Sequence, residues 1–178
     1  MFKKNTSIAI ESLPQKLWNL EDVKNYLRIS HNYDDSLIVN LIDAAIVAAE
    51  NFTGLTLILK LVHFISNKKQ QSFVIKYKPI NIIKKVTIEY ERDKYELKQD
   101  EYYIDCDNHL FYLKKPLSNG ELLVEYMAGF DEHNIPKSIR HGILLHISEM
   151  YDRQEQPSGY VFSSDIKNLY SPYRQLKI

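Results

Sequence analysis

Asp34-Asp35-Ser36-Leu37-Ile38-Val39-Asn40-Leu41-Ile42-Asp43-Ala44-Ala45-Ile46-Val47-Ala48-Ala49-Glu50-Asn51-Phe52-Thr53-Gly54 reads as one helix, and from Leu55 the chain is written in a different period. Leu37, Leu41, Ala44, Ala45, Ala48 and Phe52 recur at helical spacing on one face, and Ile38, Ile42 and Ile46 widen that stripe. Asp34 or Asp35 places a carboxylate at the positive helix end. Gly54 is the natural stop, because a positive φ is cheap for glycine. The alanines at 44, 45, 48 and 49 allow another helix to come close. After Leu55 apolar residues alternate, which predicts strands over residues 55–65, 72–78, 82–91, 95–98, 102–105, 109–113 and 121–127. Turn signals separate them, the clearest being a tight hairpin at Asp107-Asn108. Short turns between neighbouring strands imply a mostly antiparallel sheet.

Working outward, Asn19 caps a short helix from Leu20 to Leu27, and His31-Asn32-Tyr33 turns the chain into the long one. The residues before about 17 read as an irregular arm ending at Pro14. On the far side, Pro136 suits the first turn of a third helix lined by Ile139, Ile143, Leu144, Ile147, Met150 and Tyr151. Gln156-Pro157-Ser158-Gly159 breaks the chain, and Ser164 or Asp165 caps a short last helix stopped by Pro172. The expected fold class is α+β: N-terminal and C-terminal helical pairs packed together, with a mostly antiparallel β region inserted between them. One domain spanning 1–178 is expected, with a helical part at 18–54 plus 135–174 and a β subdomain at 55–127.

Composition narrows the function. Lys+Arg and Asp+Glu are both 23 in 178 residues, so the net charge is zero. A module that grips nucleic acid by charge usually shows a basic excess. The single cysteine, Cys106, excludes an internal disulfide and a cysteine-based zinc cluster, and reads as a half-buried strand residue. No signal peptide is evident and no run approaches the ~20 apolar residues of a membrane span, so a soluble protein with no membrane partner is expected.

No catalytic signature emerges. His141 and His146 stand five apart, hence on different sides of a helix, and do not make a helical metal pair. Asp34-Asp35 and Asp105-Cys106-Asp107 are paired acids without a partner base, and capping and turn roles account for them. The expected catalytic, cofactor and metal residues are therefore none. Two other classes remain open: a small metal-dependent hydrolase using the loop Asp131-Glu132-His133, and a small binding module for nucleic acid or protein using the sheet and its basic loops. Lys68, Lys69, Lys114 and Lys115 are the candidates for a DNA-facing surface, although loop lysines more often serve to keep sheets soluble.

The order of the parts resembles the head–tail connector (adaptor) proteins of tailed bacteriophages and gene transfer agents. That family's opening is matched by Leu20-Glu21-Asp22-Val23-Lys24-Asn25-Tyr26-Leu27-Arg28-Ile29, Asp34-Asp35-Ser36-Leu37-Ile38 and Asn51-Phe52-Thr53-Gly54. Its later segments are matched by Val124-Glu125-Tyr126-Met127-Ala128-Gly129-Phe130, Ile135-Pro136-Lys137-Ser138-Ile139-Arg140 and Leu169-Tyr170-Ser171-Pro172-Tyr173-Arg174. The resemblance implies a non-enzymatic ring subunit, commonly dodecameric, on the portal protein, with a tail-completion or stopper protein beneath it and non-specific DNA passing through. It implies assembly in the bacterial cytoplasm and a place in the neck of a virion or phage-like particle. Closed rings set one surface patch against a different one. The interface candidates are accordingly Leu37, Leu41, Ala45, Ala48 and Phe52 on the long helix and Ile143, Ile147 and Tyr151 on the third.

Overall fold

The period does change at Gly54, but the sheet starts later than the alternation suggests. The computed structural model describes residues 6–12, 17–91, 93–105, 110–153 and 162–175. Its elements are β1 (Thr6–Ser12), α1 (Leu20–Leu27), α2 (Asp35–Thr53), β2 (Lys60–Ser66), β3 (Ser72–Val74), β4 (Ile80–Tyr90), β5 (Asp93–Glu96), β6 (Tyr102–Asp105), β7 (Leu110–Leu113), β8 (Glu121–Ala128), α3 (Lys137–Asp152) and α4 (Ser164–Tyr170). This is a mixed α+β fold with four helices and antiparallel sheets. It divides into a β unit within Met1–Gln15 and Ile58–Phe130 and a helical unit within Lys16–Leu57 and Asp131–Ile178.

In the β unit the strand order is β1-β2-β8-β4-β5 in one sheet and β3-β7-β6 in the other. The two sheets share one core. The first contributes Val62, Phe64, Val86, Leu122, Val124 and Tyr126, and the second Phe73, Phe111 and Leu113. Successive strand side chains face opposite ways, so β8 sends Leu122, Val124, Tyr126 and Ala128 inward and leaves Leu123, Glu125 and Met127 half-buried on the outer face. Residues 55–59 alternate but do not form a strand. Leu55 and Leu57 are buried in the helical unit, and the Leu57 N–H donates to Glu50 Oε1 at 2.8 Å. Thr56 between them is buried as well, so this apolar stretch reports burial against the helices rather than a strand. The expected irregular arm is also corrected: Thr6–Ser12 is an edge strand in register with β2, from Thr6 opposite Ser66 to Ser12 opposite Lys60. Its partner residues lie 48 to 60 positions away, and most of its side chains are exposed, so a local pattern gives little sign of it. Cys106, the Asp107-Asn108 turn, Pro14 and the Gln156–Gly159 break lie outside the described residues. On either side of that turn β6 and β7 pair antiparallel.

In the helical unit α2 packs on α3, and α3 on α4. The stripe that α2 buries is Ile38, Ile42, Ala45, Ile46, Ala49 and Thr53. The predicted face is thus rotated by roughly a quarter turn. Leu37, Leu41, Ala48 and Phe52 flank the core half-buried, and Ala44 is exposed. A helix apolar around most of its circumference does not choose its buried side by composition. By length and composition α2 would also pass as a membrane span, contrary to the reading of the apolar runs, yet its central stripe is covered by protein. On α3, Gly142 allows the close approach of α4, since a Cβ there would stand 2.5 Å from Tyr170 Cε1. The α4 cap is Ser163 rather than Ser164 or Asp165, its Oγ accepting the Ile166 N–H at 3.3 Å.

Candidate functional site

The residues that carry the family resemblance are held by specific contacts within the fold. Asn19 caps α1 as expected, with Oδ1 accepting the Asp22 N–H at 2.7 Å. Arg28 ends that helix in the left-handed conformation at φ 59°, and Ile29 N–H returns to the Lys24 carbonyl at 2.9 Å. Lys24 is buried at 4% exposure, an unusual place for a lysine. Its ammonium donates to Asp35 Oδ1 at 2.8 Å and to Asn32 Oδ1 at 2.6 Å, tying α1 to the start of α2. Asp34, expected as a cap, makes no side-chain cap bond and instead accepts the Tyr151 hydroxyl of α3 at 2.7 Å. That bond to Asp34 holds the Tyr151 phenol above its ordinary pKa.

The other motif segments behave alike. Thr53 Oγ1 donates to the Ala49 carbonyl at 2.7 Å and accepts the Leu55 N–H at 3.2 Å, while Gly54 turns the chain at φ 75°. Gly129 closes β8 at φ 106°, and a Cβ there would lie 2.6 Å from the Ile58 carbonyl oxygen. Ile135 and Ile139 are buried, and Arg140 Nη2 donates to the Leu17 carbonyl at 3.1 Å. Every one of these residues is spent on the fold.

The loop Asp131-Glu132-His133 is a turn. Asp131 Oδ1 accepts the N–H groups of His133 at 2.9 Å and Asn134 at 3.0 Å, and Oδ2 accepts the Asn134 amide at 2.5 Å. Desolvation pushes this carboxyl up, but those donors outweigh it and hold it below the usual range. Among the described residues no group of three His, Cys, Asp or Glu could hold a metal. His141 is exposed beside Tyr26, whereas His146 is buried against Phe162, with burial lowering its pKa to about 4.

The surfaces remain. Of the interface candidates, Ala45, Ile143 and Ile147 are fully buried within the helical unit. Phe52 stacks edge-on with Phe162 at 5.4 Å and lies under Arg174 at 5.3 Å, and Tyr151 is bonded to Asp34. Leu37, Leu41 and Ala48 stay half-exposed. Elsewhere on α2, Val39 and Val47 are 43% and 55% exposed, and neither is among the residues singled out from the sequence.

The four candidate lysines are all exposed, and the structure brings their loops together. Leu113 N–H donates to the Gln71 carbonyl at 2.9 Å and Leu117 N–H to the Gln70 carbonyl at 3.1 Å, so the loops holding Lys68-Lys69 and Lys114-Lys115 run side by side. Lys69 Nζ also reaches Asn119 Oδ1 at 3.3 Å. Acids share this end of the unit. Glu101 is held below the usual carboxylate range by the Lys98 N–H first, then by the Tyr95 hydroxyl and the charges of Lys98 and Lys115. The outer face of the larger sheet carries a shallow hollow of about 320 Å³ over Ile65 and Leu123. His63 stands 3.5 Å from Glu125 there, and Lys85 pairs with Glu96 at 3.2 Å.

The motif residues are largely spent on packing, and apolar and charged groups remain on exposed elements. A model of the head completion protein family matches residues 16–161, and the chain belongs to that family. The sequence resemblance to phage and gene-transfer-agent connectors is borne out. The fold is shared with a chain in the neck of an empty gene transfer agent particle computed with C6 symmetry, at TM-score 0.71 and 13% identity over 96% of this chain and 97% of that one. The neck of the native particle computed with C12 symmetry gives 0.70 and 13% over the same shares. The virion of the native particle gives 0.66 and 12%, over 95% and 96%. No curated protein sequence matches the chain.

Proposed function

We propose that this chain is a head–tail connector subunit, without catalytic activity, that forms a ring on the portal protein and joins the capsid to the tail. The observation that carries the reading is the family match over residues 16–161. The shared fold, over nearly the whole chain, with chains in particle necks whose structures were computed with C6 and C12 symmetry supports it. Both units act as one subunit. Copies assemble in the bacterial cytoplasm and end in the neck of the particle. Leu37, Leu41 and Ala48, which share one flank of α2, form one contact surface of the ring or of its portal seat. A tail-completion or stopper protein closes the other side. The lysine loops at 68–69 and 114–115 face the passing DNA, where acids such as Glu101 keep the surface from gripping a polyanion. Light scattering on the purified chain, alone and with portal protein, tests this. A ring on the portal is the expected result, and a strict monomer that ignores the portal overturns the reading.

A further inference from the structure

We propose that the two open edges of the five-stranded sheet join neighbouring copies, β1 of one chain adding to β4 of the next. The identity of the partner as a second copy rests on the connector reading above. At one end of the strand order β1 pairs with β2 alone. At the other end β5 covers only Thr87–Tyr90 of β4. The Leu97 N–H donates to the Val86 carbonyl at 2.9 Å, and the stretch from Ile80 to Lys85 is laddered on its β8 side only, among the described residues. β1, β2, β8 and β4 alternate in direction. A β1 strand carried alongside β4 with the sheet faces aligned therefore meets it antiparallel, the sense of every other pair in the sheet.

The side chains agree with that placement. Ile8 packs on the core, and Ile10, opposite Val62, follows it on the same face while remaining 44% exposed. Ile83, opposite Tyr126, lies on the core side of β4, and with Glu11 facing Lys84 it stands diagonally across from Ile10. Glu11 is exposed on β1, and Lys84 and Lys85 are exposed on β4. Neither Glu11 nor Lys84 makes an ion pair among the described residues. Proteins that stay single blunt an edge with charge. β5 follows that rule with Asp93, Lys94 and Glu96, whereas β1 presents Ile8-Ala9-Ile10. The β4 ladder shifts register between Ile80 and Ile82 and again between Ile83 and Lys85, which confines the open edge to a few residues and limits the registers available. Two different edges meeting head to tail is the arrangement that closes into a ring.

The test uses two chains, both carrying Cys106→Ser, one with Glu11→Cys and the other with Lys84→Cys. They are mixed and oxidised, alone and with portal protein, after circular dichroism confirms each is folded. Within a chain β1 and β4 are separated by β2 and β8, roughly 14 Å at the usual strand spacing, beyond the ~7 Å Cα reach of a disulfide. A covalent dimer therefore reports on two copies. The expected result is a mixed dimer at least tenfold above that formed when Val74→Cys replaces Lys84→Cys. No dimer in either condition, or equal yield from the Val74→Cys control, overturns the edge pairing. A ring on the portal without the Glu11–Lys84 link sinks the edge pairing and leaves the connector reading standing. The link in a chain that ignores the portal does the reverse.

Discussion

The helical unit and the β unit both bury apolar cores, but they differ in the polar contacts that join their elements. The helical unit is fastened by specific polar contacts: Lys24 to Asp35, Asp34 to Tyr151, Arg140 to the Leu17 carbonyl, and Thr53 to its own helix end. The β unit relies on a shared apolar core, and its ion pairs, such as Lys85–Glu96, lie exposed on the outer face. A polar contact between elements demands one residue type at one position, whereas an apolar strand residue accepts several of similar volume. Recognisable motifs therefore concentrate in the helical unit and at the end of β8, where Gly129 must turn against Ile58. The lysine loops and the sheet edges follow no motif, and the proposed DNA-facing and edge-pairing surfaces fall there.

The largest expected effects come from cutting each core. Phe111→Ala in the β unit and Ile143→Ala in the helical unit both remove fully buried side chains. Costs of ~3–5 kcal/mol and ~2–5 kcal/mol respectively are expected in denaturant unfolding. Hydrogen exchange then sharpens the contrast: each substitution should speed exchange mainly in its own unit. Uniform acceleration across both units would break the contrast, since the chain would then be opening as one block.

A smaller effect belongs to the helical unit alone. His146 is 1% exposed, and burial takes its pKa to about 4, with Glu149 pulling modestly the other way. The folded state thus binds fewer protons than the unfolded one between pH 6.5 and about 4. Stability is unaffected by this group above its unfolded pKa, falls as the pH drops through that window, and levels off below it. The difference amounts to about 3 kcal/mol. His146→Leu should flatten this part of the stability profile, and an unchanged acid slope would show that other groups set it.

The Lys24–Asp35 pair comes next. Lys24 is 5% exposed at its side chain and Asp35 33%, so the aspartate keeps some water when its partner goes. Lys24→Met is therefore expected to cost ~2 kcal/mol, below the ~3–5 kcal/mol of a fully buried broken pair. A double-mutant cycle with Asp35→Asn should show coupling of ~1 kcal/mol. Additive losses would mean that the lysine stem, rather than its charge, fastens α1.

Legibility in the sequence followed the same division. The α+β class, the Asn19 cap, the Gly54 stop and most strands could be read locally, because caps and alternation are written in adjacent residues. The buried side of α2 could not, since Leu37, Leu41 and Ala48 are as apolar as Ile38, Ile42 and Ala49. Nor could the role of Lys24. A lysine on a short helix reads as solvated, and only the fold brings Asn32 and Asp35 to its ammonium. For the same reason Asp34 and Asp35 looked like interchangeable caps, although one bonds α3 and the other α1.

The smallest effect on stability is expected where the effect on function is largest. Lys68, Lys69, Lys114 and Lys115 are exposed on neighbouring loops, and charges in such places usually change stability by within ~0.5 kcal/mol. Replacing all four with glutamate should leave the β core intact, because none of their side chains enters it. Lys115→Glu carries most of the residual cost, since it turns an attraction toward Glu101 into a repulsion. Lys69→Glu also removes the hydrogen bond to Asn119. If these loops face the DNA, the variant removes four phosphate-binding charges and opposes the polyanion with four carboxylates, so DNA retention or delivery by assembled particles should fall. Every phosphate left without its lysine would also lower the salt dependence of binding. Particle yield should hold, because the Leu37, Leu41 and Ala48 surface belongs to the other unit. Normal transfer by the quadruple variant would turn the lysine loops away from the channel and make them solubilising caps on the β unit.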